Sequence, residues 1–391
     1  MDKRIYLLTS IAFVVGMVEL IIGGILDLVA LDLGVSIGHA GLLITAFALV
    51  FAVSGPLLLL LVGQADRKRV TLAALLVFIA GNFVAVASTT YGTLMLSRIV
   101  TAASGALLTV LALAMAAHIS RPENRGRAIG LVIMGISGSL VLGLPIGVSM
   151  GHAYGWRSPF ILVAILAMVL VVAVALFFGS DPVKRPAPLK THIHALRDRK
   201  ILFGQLTTFF FLTGHYTLYG YLTPFVTTTM AFGGALVTLV YFVYGAAAMT
   251  GGGLAGVSAD KFGPRRTLLT AIVLLCICLL IIPHTTDAPA LFWTVLIAWG
   301  LLSWSITPPI QTHLVQLSPE TADIQQSLNT AVLHLGIAFG AWVGSVVIDR
   351  SSVEHNAVVG AFLILIALGT ALVTLQKPRD AIGSKALQER R

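Results

Sequence analysis

The sequence GVSADKFGPRR, residues 256–266, follows a long apolar run, and GQADRKRV, residues 63–70, follows another. Each stretch places an aspartate, Asp260 or Asp66, ahead of several basic residues. The two aspartates are 194 residues apart in a chain of 391 residues. The same short polar loop therefore occurs twice, at a separation of about half the chain. We interpret the chain as two homologous halves.

The composition is that of a membrane protein. Hydrophobic residues make up 57% of the chain and charged residues only 10%, and the mean hydropathy is +0.96. Soluble domains carry about 25% charged residues, so the composition excludes an ordinary soluble enzyme and a disordered regulator. The two cysteines, Cys276 and Cys278, lie two positions apart in one apolar run, where helical geometry points them in different directions. We expect neither a disulfide nor a metal site from them.

Apolar runs of about 20 residues are long enough to cross a bilayer as helices, and the hydropathy predicts twelve of them. The predicted spans are residues 5–28, 38–62, 70–89, 93–117, 128–150, 158–178, 201–228, 234–258, 267–284, 289–312, 324–347 and 356–376. We therefore predict an all-α membrane protein with twelve transmembrane helices in two pseudo-symmetric six-helix bundles. The predicted units are the bundles 1–178 and 201–376, a linker at 179–200 and a tail at 377–391.

Basic residues are concentrated in alternate loops. Of the 25 Lys and Arg residues, 22 lie in the N-terminus, the loops at 63–69, 118–127 and 259–266, the linker and the tail. Because basic loops mark the cytoplasmic side, we expect both termini and the linker in the cytoplasm and the helices in the cell membrane. This orientation signal accounts for the net charge of +9, so the lipid bilayer is the expected partner and nucleic acid is not.

Several segments along the whole chain carry a resemblance to a known family. Besides the two acid-basic loops, they are Arg98, GLPIG at 143–147, GWRSPF at 155–160, VELIIGGIL at 18–26, AVSGPLLL at 52–59, GHYTLYGY at 214–221, WGLLSWS at 299–305 and DIQQSLNT at 323–330. With these segments the chain resembles the major facilitator superfamily, in particular its twelve-span drug:proton antiporters, and among those the bacterial purine base and nucleoside efflux pumps. The resemblance implies the major facilitator fold and transport by alternating access.

Glu19 is the one acidic residue that we place deep inside a predicted span. An ionised carboxylate at membrane depth costs about 2.5–3.5 kcal/mol or more on insertion scales, so we interpret Glu19 as a group that takes up and releases a proton. The alternative is a protonated or hydrogen-bonded glutamate that fixes helix packing. Asp27, eight residues later on the same helical face, would extend the proton pathway outward or else lie in the outer aqueous layer.

Arg98 is the predicted partner of Glu19. The predicted spans place the two residues at depths that differ by only about 6 Å, at 1.5 Å per residue. In the related antiporters the arginine of this motif interacts with acids of the first span, and Arg98 is the residue that matches. The alternative is an arginine whose side chain extends to the outer surface.

Aromatic and polar residues in three spans of the second half predict the wall of a cavity. Planar heterocycles bind by stacking on aromatic rings and by hydrogen bonds to amides, which favours a purine-like substrate. The alternatives are an interfacial belt for the tryptophans and interhelical hydrogen bonds for the amides. We interpret His334 as a packing histidine. The residues predicted to bind substrate are His215, Tyr219, Trp299, Trp304, Gln325 and Asn329.

Two further features predict a conformational role. Gly143, Pro145 and Gly147 in span 5 predict a kinked helix that approaches a neighbour closely, which the resemblance associates with antiporters. The two loops place an acid at a helix end beside bases, a contact that stabilises one conformer and breaks in the other. Simple helix packing and orientation signals are the alternatives. The loop residues concerned are Asp66, Arg67, Asp260 and Arg265.

The chain carries no phosphate-binding glycine loop, no Ser-His-Asp arrangement and no metal-ligand spacing. We therefore expect neither an enzyme nor a cofactor, and transport powered by ATP has no support in the sequence. The function we predict is proton-coupled efflux of purine bases or nucleosides by a monomer. Efflux of drugs or sugars by the same fold, uptake by symport and a channel remain open alternatives.

Overall fold

The computed structural model describes residues 2–62, 65–121, 124–179 and 198–376, and every regular element in these ranges is helical. The helices form twelve spans, numbered here in chain order. Spans 1 to 6 are Arg4–Gly24 continued by Leu26–Leu33, Ile37–Leu61, Arg67–Ala87, Tyr91–Ile119, Arg125–Gly138 continued through Ser139–Gly143 to Leu144–Tyr154, and Ser158–Phe177. Spans 7 to 12 are Arg199–Tyr219 continued by Leu222–Met230, Gly234–Phe262, Pro264–Ile281 continued by Ile282–Thr285, Pro289–Ser303 continued by Thr307–Leu317, Ala322–Arg350, and His355–Thr374.

The twelve predicted spans are confirmed, each with ends close to those expected. Eleven of the observed helices are long and apolar enough to cross a membrane. The exception among the spans is span 7, whose sequence carries Gln205, His215 and several threonines. Most of the predicted linker, residues 180–197, and the whole predicted tail, residues 377–391, lie outside the described residues.

The first helix of each half is interrupted at the same place. Span 1 breaks at Ile25, with φ −123° and ψ 21°, and span 7 breaks at Tyr221, with φ −120° and ψ 22°. The short helix after each break then ends in a left-handed residue, Gly34 with φ 61° and Ala231 with φ 53°. This matched backbone geometry supports two homologous halves. The hydropathy pattern predicted neither break, because apolar residues continue through both.

Glycines hold helix pairs together in each half. In span 5, a Cβ added at Gly147 would lie 2.7 Å from Ile21 of span 1. In span 11, a Cβ added at Gly336 would lie 2.7 Å from the carbonyl oxygen of Phe209 in span 7. Since real side chains do not tolerate such distances, only glycine allows these helices to approach so closely. The close approach predicted for span 5 is confirmed, and span 11 repeats it.

A π-helical segment, Ser139–Gly143, lies in span 5 where the kink was predicted, just before the buried Pro145. A π-helical turn inserts an extra residue into the helical hydrogen-bond pattern, and such turns often occur next to proline or at functional sites. A Cβ at Gly143 would lie 3.3 Å from Met17 of span 1. Gly143 and Gly147 therefore pack span 5 against span 1 within the first half.

The two halves contact each other unevenly along spans 5 and 8. We call the helix ends at 61–67, 119–125 and 262–264 the basic end, and the turns at 34–36, 155–157, 231–233 and 351–354 the opposite end. Toward the opposite end, a Cβ at Gly234 would lie 2.6 Å from the Cγ atom of His152, and one at Gly245 would lie 2.6 Å from the carbonyl oxygen of Leu140.

Toward the basic end the same two spans are not in contact at their glycines. A Cβ added at Gly126 or Gly130 of span 5, or at Gly253 or Gly256 of span 8, would meet no described atom within 4 Å. The halves are therefore closed against each other along these spans near the opposite end and separated near the basic end.

Candidate functional site

A cavity lies where the two halves meet, beside the breaks in spans 1 and 7. Its polar side chains are Glu19 and three tyrosines, Tyr216, Tyr219 and Tyr241. The remaining lining residues are Leu20, Gly23, Ile44, Phe47, Ala48, Gly220 and Ile337. Among the described residues that line this cavity, Glu19 is the only charged one. Both halves contribute to the wall, so the cavity changes shape whenever the halves move.

Glu19 faces His334 of the other half. The Oε1 atom of Glu19 lies 3.4 Å from Nε2 of His334 in span 11, with the side chains 18% and 10% exposed. The Nδ1 atom of the same imidazole lies 2.9 Å from the carbonyl oxygen of Thr330. The ring also stacks on Phe51 of span 2, at 4.3 Å between centroids and 20° between planes.

The interpretation of His334 as a packing residue is therefore corrected, because its imidazole contacts the one carboxylate of the cavity. The four-residue spacing of Gln326, Thr330 and His334 in the sequence places these residues on one helical face. That spacing does not reveal which helix of the other half lies opposite, so the contact was not predictable from it.

Arg98 is fully buried and binds the backbone of span 1. Its guanidinium donates to the carbonyl oxygen of Val18 at 2.8 Å and to that of Glu19 at 3.5 Å, and it lies over the ring of Phe47 at 4.1 Å. Arg98 thus reaches the backbone at Glu19, as the small predicted difference in depth allows, and the surface-exposed alternative is wrong.

The expected pairing of Arg98 with an acidic side chain is not seen. Among the described residues, the ion pair of Glu19 is with His334 and not with Arg98. The carboxylate is directed into the cavity, whereas the guanidinium binds main-chain oxygens of the same helix. The buried positive charge of Arg98 still lies close to Glu19 and partly balances its negative charge.

Asp27 lies beyond the break in span 1 and does not line the cavity. Its side chain is only partly exposed, and its Oδ1 atom is buried without a partner among the described residues. Between Asp27 and the cavity, the hydroxyl of Tyr241 donates to the carbonyl oxygen of Gly23 at 3.1 Å. Asp27 is therefore neither fully solvated nor in direct contact with Glu19.

His215 lies behind the tyrosine wall. The indole nitrogen of Trp299 donates to Nδ1 of His215 at 3.1 Å, and an indole N–H is only ever a donor. The ring proton must then be on Nε2, which lies 3.2 Å from the hydroxyl of Tyr244. The imidazole also stacks on Tyr219, with 5.2 Å between the ring centroids and 21° between the ring planes. The contacts of His215 therefore fit a neutral imidazole.

This arrangement places two of the predicted substrate ligands behind the cavity wall and one of them in it. His215 and Trp299 use their polar atoms on each other and on Tyr244, and neither lines the cavity. Tyr219 does line it, and its hydroxyl oxygen has no hydrogen-bond partner among the described residues. His215 and Trp299 therefore support Tyr219 from behind.

The predicted amides of span 11 join helices and do not line the cavity. The side-chain nitrogen of Asn329 donates to Oε1 of Gln205 at 2.9 Å and to Oγ1 of Thr208 at 2.8 Å, both in span 7. The Gln205 nitrogen lies 3.4 Å from Oε1 of Gln325. Gln325 and Asn329 are fully buried in this network. They therefore form hydrogen bonds between helices, as the alternative prediction stated.

Trp304 also lies outside the cavity wall. It ends the first helix of span 10 and is only partly exposed. A Cβ at Gly252 of span 8 would lie 3.8 Å from Trp304. The Cβ atom of Trp304 therefore lies beside span 8, and because the residue does not line the cavity, its predicted role in substrate stacking is not supported by its position.

The two acid-basic loops differ in their contacts. In the first half, Asp66 caps span 3 by accepting from the backbone N–H of Arg69 at 3.2 Å, Arg67 is buried, and Lys68 donates to the carbonyl oxygen of Ala175 in span 6 at 2.8 Å. In the second half, Asp260 and Arg265 are exposed.

The acid-base contact predicted for Asp260 and Arg265 is not observed among the described residues. The first loop is thus held to its own bundle and the second is not. The sequence shows a related asymmetry. The second loop has one glycine, Gly256, four residues before its aspartate and another, Gly263, between its basic residues, whereas the first loop has no glycine at either matching position.

Comparison with known proteins agrees with this architecture. The sequence pattern of the Major Facilitator Superfamily matches residues 8–341. The chain is 33% identical over 380 residues to the uncharacterized MFS-type transporter YbcL of Bacillus subtilis (strain 168), covering 97% of each chain. It is 25% identical over 378 residues to the uncharacterized MFS-type transporter YtbD of the same organism, covering 94% of each chain.

Two solved structures share the fold. Both are of a bacterial homologue of the human lysosomal transporter Spinster in an inward-facing conformation, one unoccupied and one occupied. The unoccupied form gives a TM-score of 0.78 at 15% identity, over 96% of this chain and 98% of that one. The occupied form gives 0.80 at 15% identity, over 95% and 96%. At this identity the likeness shows the fold alone.

The first helix of each half is interrupted, a cavity lies between two six-helix bundles, and the family match covers most of the sequence. Together these findings lead to one assignment. The chain belongs to the Major Facilitator Superfamily and is a multi-pass membrane transporter.

Proposed function

We propose that this transporter exports purine bases or nucleosides in exchange for protons. The observation that carries the proposal is Glu19, the one charged side chain among the described residues that line the cavity between the halves. Repeat-built transporters bind substrate and coupling ions at this position, near the middle of the membrane. A carboxylate there meets water from one side and then from the other as the halves move.

The closed and open ends of the molecule are those that the loading step of an exporter requires. The halves are in contact along spans 5 and 8 near the opposite end and apart near the basic end. Basic loops favour the cytoplasmic side, so the cavity of this conformer would open toward the cytoplasm. A substrate made in the cell would enter from that side, and a proton would enter after the halves have reoriented.

The cavity has a volume of about 20 Å³ in this conformer, so a purine fits only after it widens, and the residues of its wall suit a planar, largely neutral substrate. Phe47, Tyr216, Tyr219 and Tyr241 offer aromatic faces, on which heterocyclic rings stack. The unpartnered hydroxyl of Tyr219 can both donate to and accept from a ring nitrogen or carbonyl. One carboxylate beside aromatic rings also attracts an organic cation, and this observation makes multidrug efflux the second candidate.

Transport by purified protein in liposomes tests the proposal. Wild type should accumulate labelled adenine or adenosine when the lumen is more acidic than the medium, and Glu19→Gln should lose this gradient-driven accumulation because its amide cannot titrate. The matched control is Glu320→Gln, which changes an exposed glutamate in the turn between spans 10 and 11 and should transport normally.

Gradient-driven accumulation by Glu19→Gln at the wild-type rate would contradict the proton-carrying role. Accumulation of lipophilic cations but of neither purine would favour the multidrug alternative.

A further inference from the structure

We infer that Glu19 and His334 form a proton-sharing pair that holds a single proton while the halves are closed near the opposite end. The inference rests on the proposed function, because it names a second member of the proton site. His334, a residue of the second half, would share the proton with Glu19 of the first half. The proton then lies between the two halves, which move relative to each other.

The proton count follows from the partners of the two imidazole nitrogens. Nδ1 of His334 lies 2.9 Å from the carbonyl oxygen of Thr330, and a carbonyl oxygen only accepts. Nδ1 must therefore carry a proton. Nε2 then faces Oε1 of Glu19 at 3.4 Å, and this contact is favourable only if a proton lies on one of these two atoms. The pair is either imidazolium with carboxylate or neutral imidazole with carboxylic acid.

Both other protonation states disfavour the contact. Loss of the shared proton leaves two lone-pair acceptors facing each other across 3.4 Å. Gain of a second proton leaves an imidazolium beside a neutral acid, so that a net positive charge is buried near Arg98, which is itself fully buried. The closed contact between spans 1 and 11 is therefore most stable with one proton.

The surroundings of the pair contain few other titratable groups among the described residues. Span 4 presents Arg98, which binds the main chain at Glu19. Span 7 presents Tyr216, which lines the same cavity as Glu19. Span 2 presents Phe51, which has no charge and holds the imidazole plane. In the proposed exchange, a proton taken up from the outer side is carried into the Glu19–His334 contact as the halves close, and its loss to the cytoplasmic side when purine binds allows spans 1 and 11 to separate again.

Closure at the opposite end can be measured by cross-linking. His152 and Gly234 adjoin across the two halves, so the double change His152→Cys with Gly234→Cys, in a background of Cys276→Ala and Cys278→Ala, reports closure as disulfide yield. The yield is measured from about pH 5 to pH 9 and divided by the yield in Glu19→Gln/His334→Gln, which lacks both titratable groups and corrects for thiol chemistry.

With Glu19 and His334 present, we expect the corrected yield to peak at intermediate pH and to fall on both sides, as for two coupled sites that titrate in two steps. His334→Gln should lose the acidic limb, because glutamine cannot accept the second proton. His334→Asn, which is too short to reach Glu19, should lose it as well. His313→Gln is the matched control, since His313 contacts Thr374 and not the cavity, and it should keep both limbs.

An unchanged two-limbed profile in both His334 variants would overturn the inference. This outcome is distinct from failure of the proposed function, which is tested by purine accumulation in Glu19→Gln. If Glu19→Gln abolishes gradient-driven accumulation while the His334 variants keep the two-limbed profile, the proton carrier stands and the shared pair does not. If the His334 variants lose the acidic limb in a protein that moves no purine, the pair stands and the substrate assignment fails.

Discussion

At the scale of single residues, Arg98 combines three interactions that depend on the shape of its guanidinium. It binds two neighbouring carbonyl oxygens of span 1 and lies over Phe47 of span 2. A lysine would keep the charge, but it has no planar fork for two acceptors and an aromatic face. Arg98 thus holds spans 1, 2 and 4 together at the depth of Glu19.

We therefore expect Arg98→Ala to abolish transport and to lower the free energy of unfolding by at least about 1.5–3 kcal/mol, the usual contribution of hydrogen bonds to a charged group. Arg98→Lys should lose less stability than Arg98→Ala. Thermal melting in detergent and transport in liposomes measure both effects. Equal melting temperatures for the wild type and Arg98→Ala would show that these contacts contribute nothing to the fold.

The side chains of Tyr219 and Asn329 should respond to substitution in opposite ways. Asn329→Ala strands Gln205 and Thr208 in a buried network, which costs about 1–3 kcal/mol of stability, and it should affect all purines alike. Tyr219→Phe removes only an unpartnered hydroxyl and should leave stability unchanged while altering the relative affinities for adenine, hypoxanthine and guanine. Binding assays against these three bases, with melting temperatures, test the contrast. Altered base selectivity in Asn329→Ala with wild-type selectivity in Tyr219→Phe would reverse the assignment.

At this scale the sequence was informative where a residue type is rare in its setting. A carboxylate or guanidinium inside an apolar helix stands out, so the sequence singled out Glu19, which lines the cavity, and Arg98, which is buried beside it. Amides and aromatic residues serve both cavities and helix packing. Asn329 and Trp299 were therefore misplaced, because only the rotation of each helix decides which surface its side chains face.

At the scale of elements, hydropathy located the spans because length and apolarity are the properties that a bilayer requires, and the polar residues of span 7 weaken this signal there. It missed the breaks at Ile25 and Tyr221, where a change in the backbone is not accompanied by a polar residue. Such breaks are tolerated inside a membrane when neighbouring groups satisfy the freed polar atoms. Here the hydroxyl of Thr223 donates to the carbonyl oxygen of Gly24, and that of Tyr241 donates to the carbonyl oxygen of Gly23.

The left-handed residues that end the two short helices provide a test of element stability. Gly34 has φ 61° and open space around it, so Gly34→Ala should cost about 1–2 kcal/mol through backbone conformation alone. Ala231, with φ 53°, already bears this strain, and Ala231→Gly should be neutral or stabilising. Gly92→Ala is the matched control, because its Cβ would also meet open space at an ordinary φ. Melting temperatures should rank Gly34→Ala lowest, and a value for it equal to that of Gly92→Ala would contradict the backbone argument.

At the scale of the whole molecule, two similar bundles meet around a cavity that contains one carboxylate. Repetition of the helix breaks and glycine contacts makes the halves alike, while the contacts of Glu19 with His334 and of Gly245 with Leu140 join one half to the other. The sequence predicted the repeat from its two acid-basic loops. It did not predict which end is closed, because this depends on contacts between distant spans that leave no local pattern.

The most direct test of the account is the direction of proton movement when a purine gradient is the only driving force. Liposomes that contain the purified transporter and an internal pH dye are mixed with external adenine or adenosine, with no initial pH gradient. Exchange of purine for protons predicts that the lumen becomes more alkaline in wild type and in Glu320→Gln, and that its pH stays constant in Glu19→Gln. Acidification of the lumen would show symport, and purine entry without any pH change in the wild type would show that transport is not coupled to protons. Either result would contradict the account.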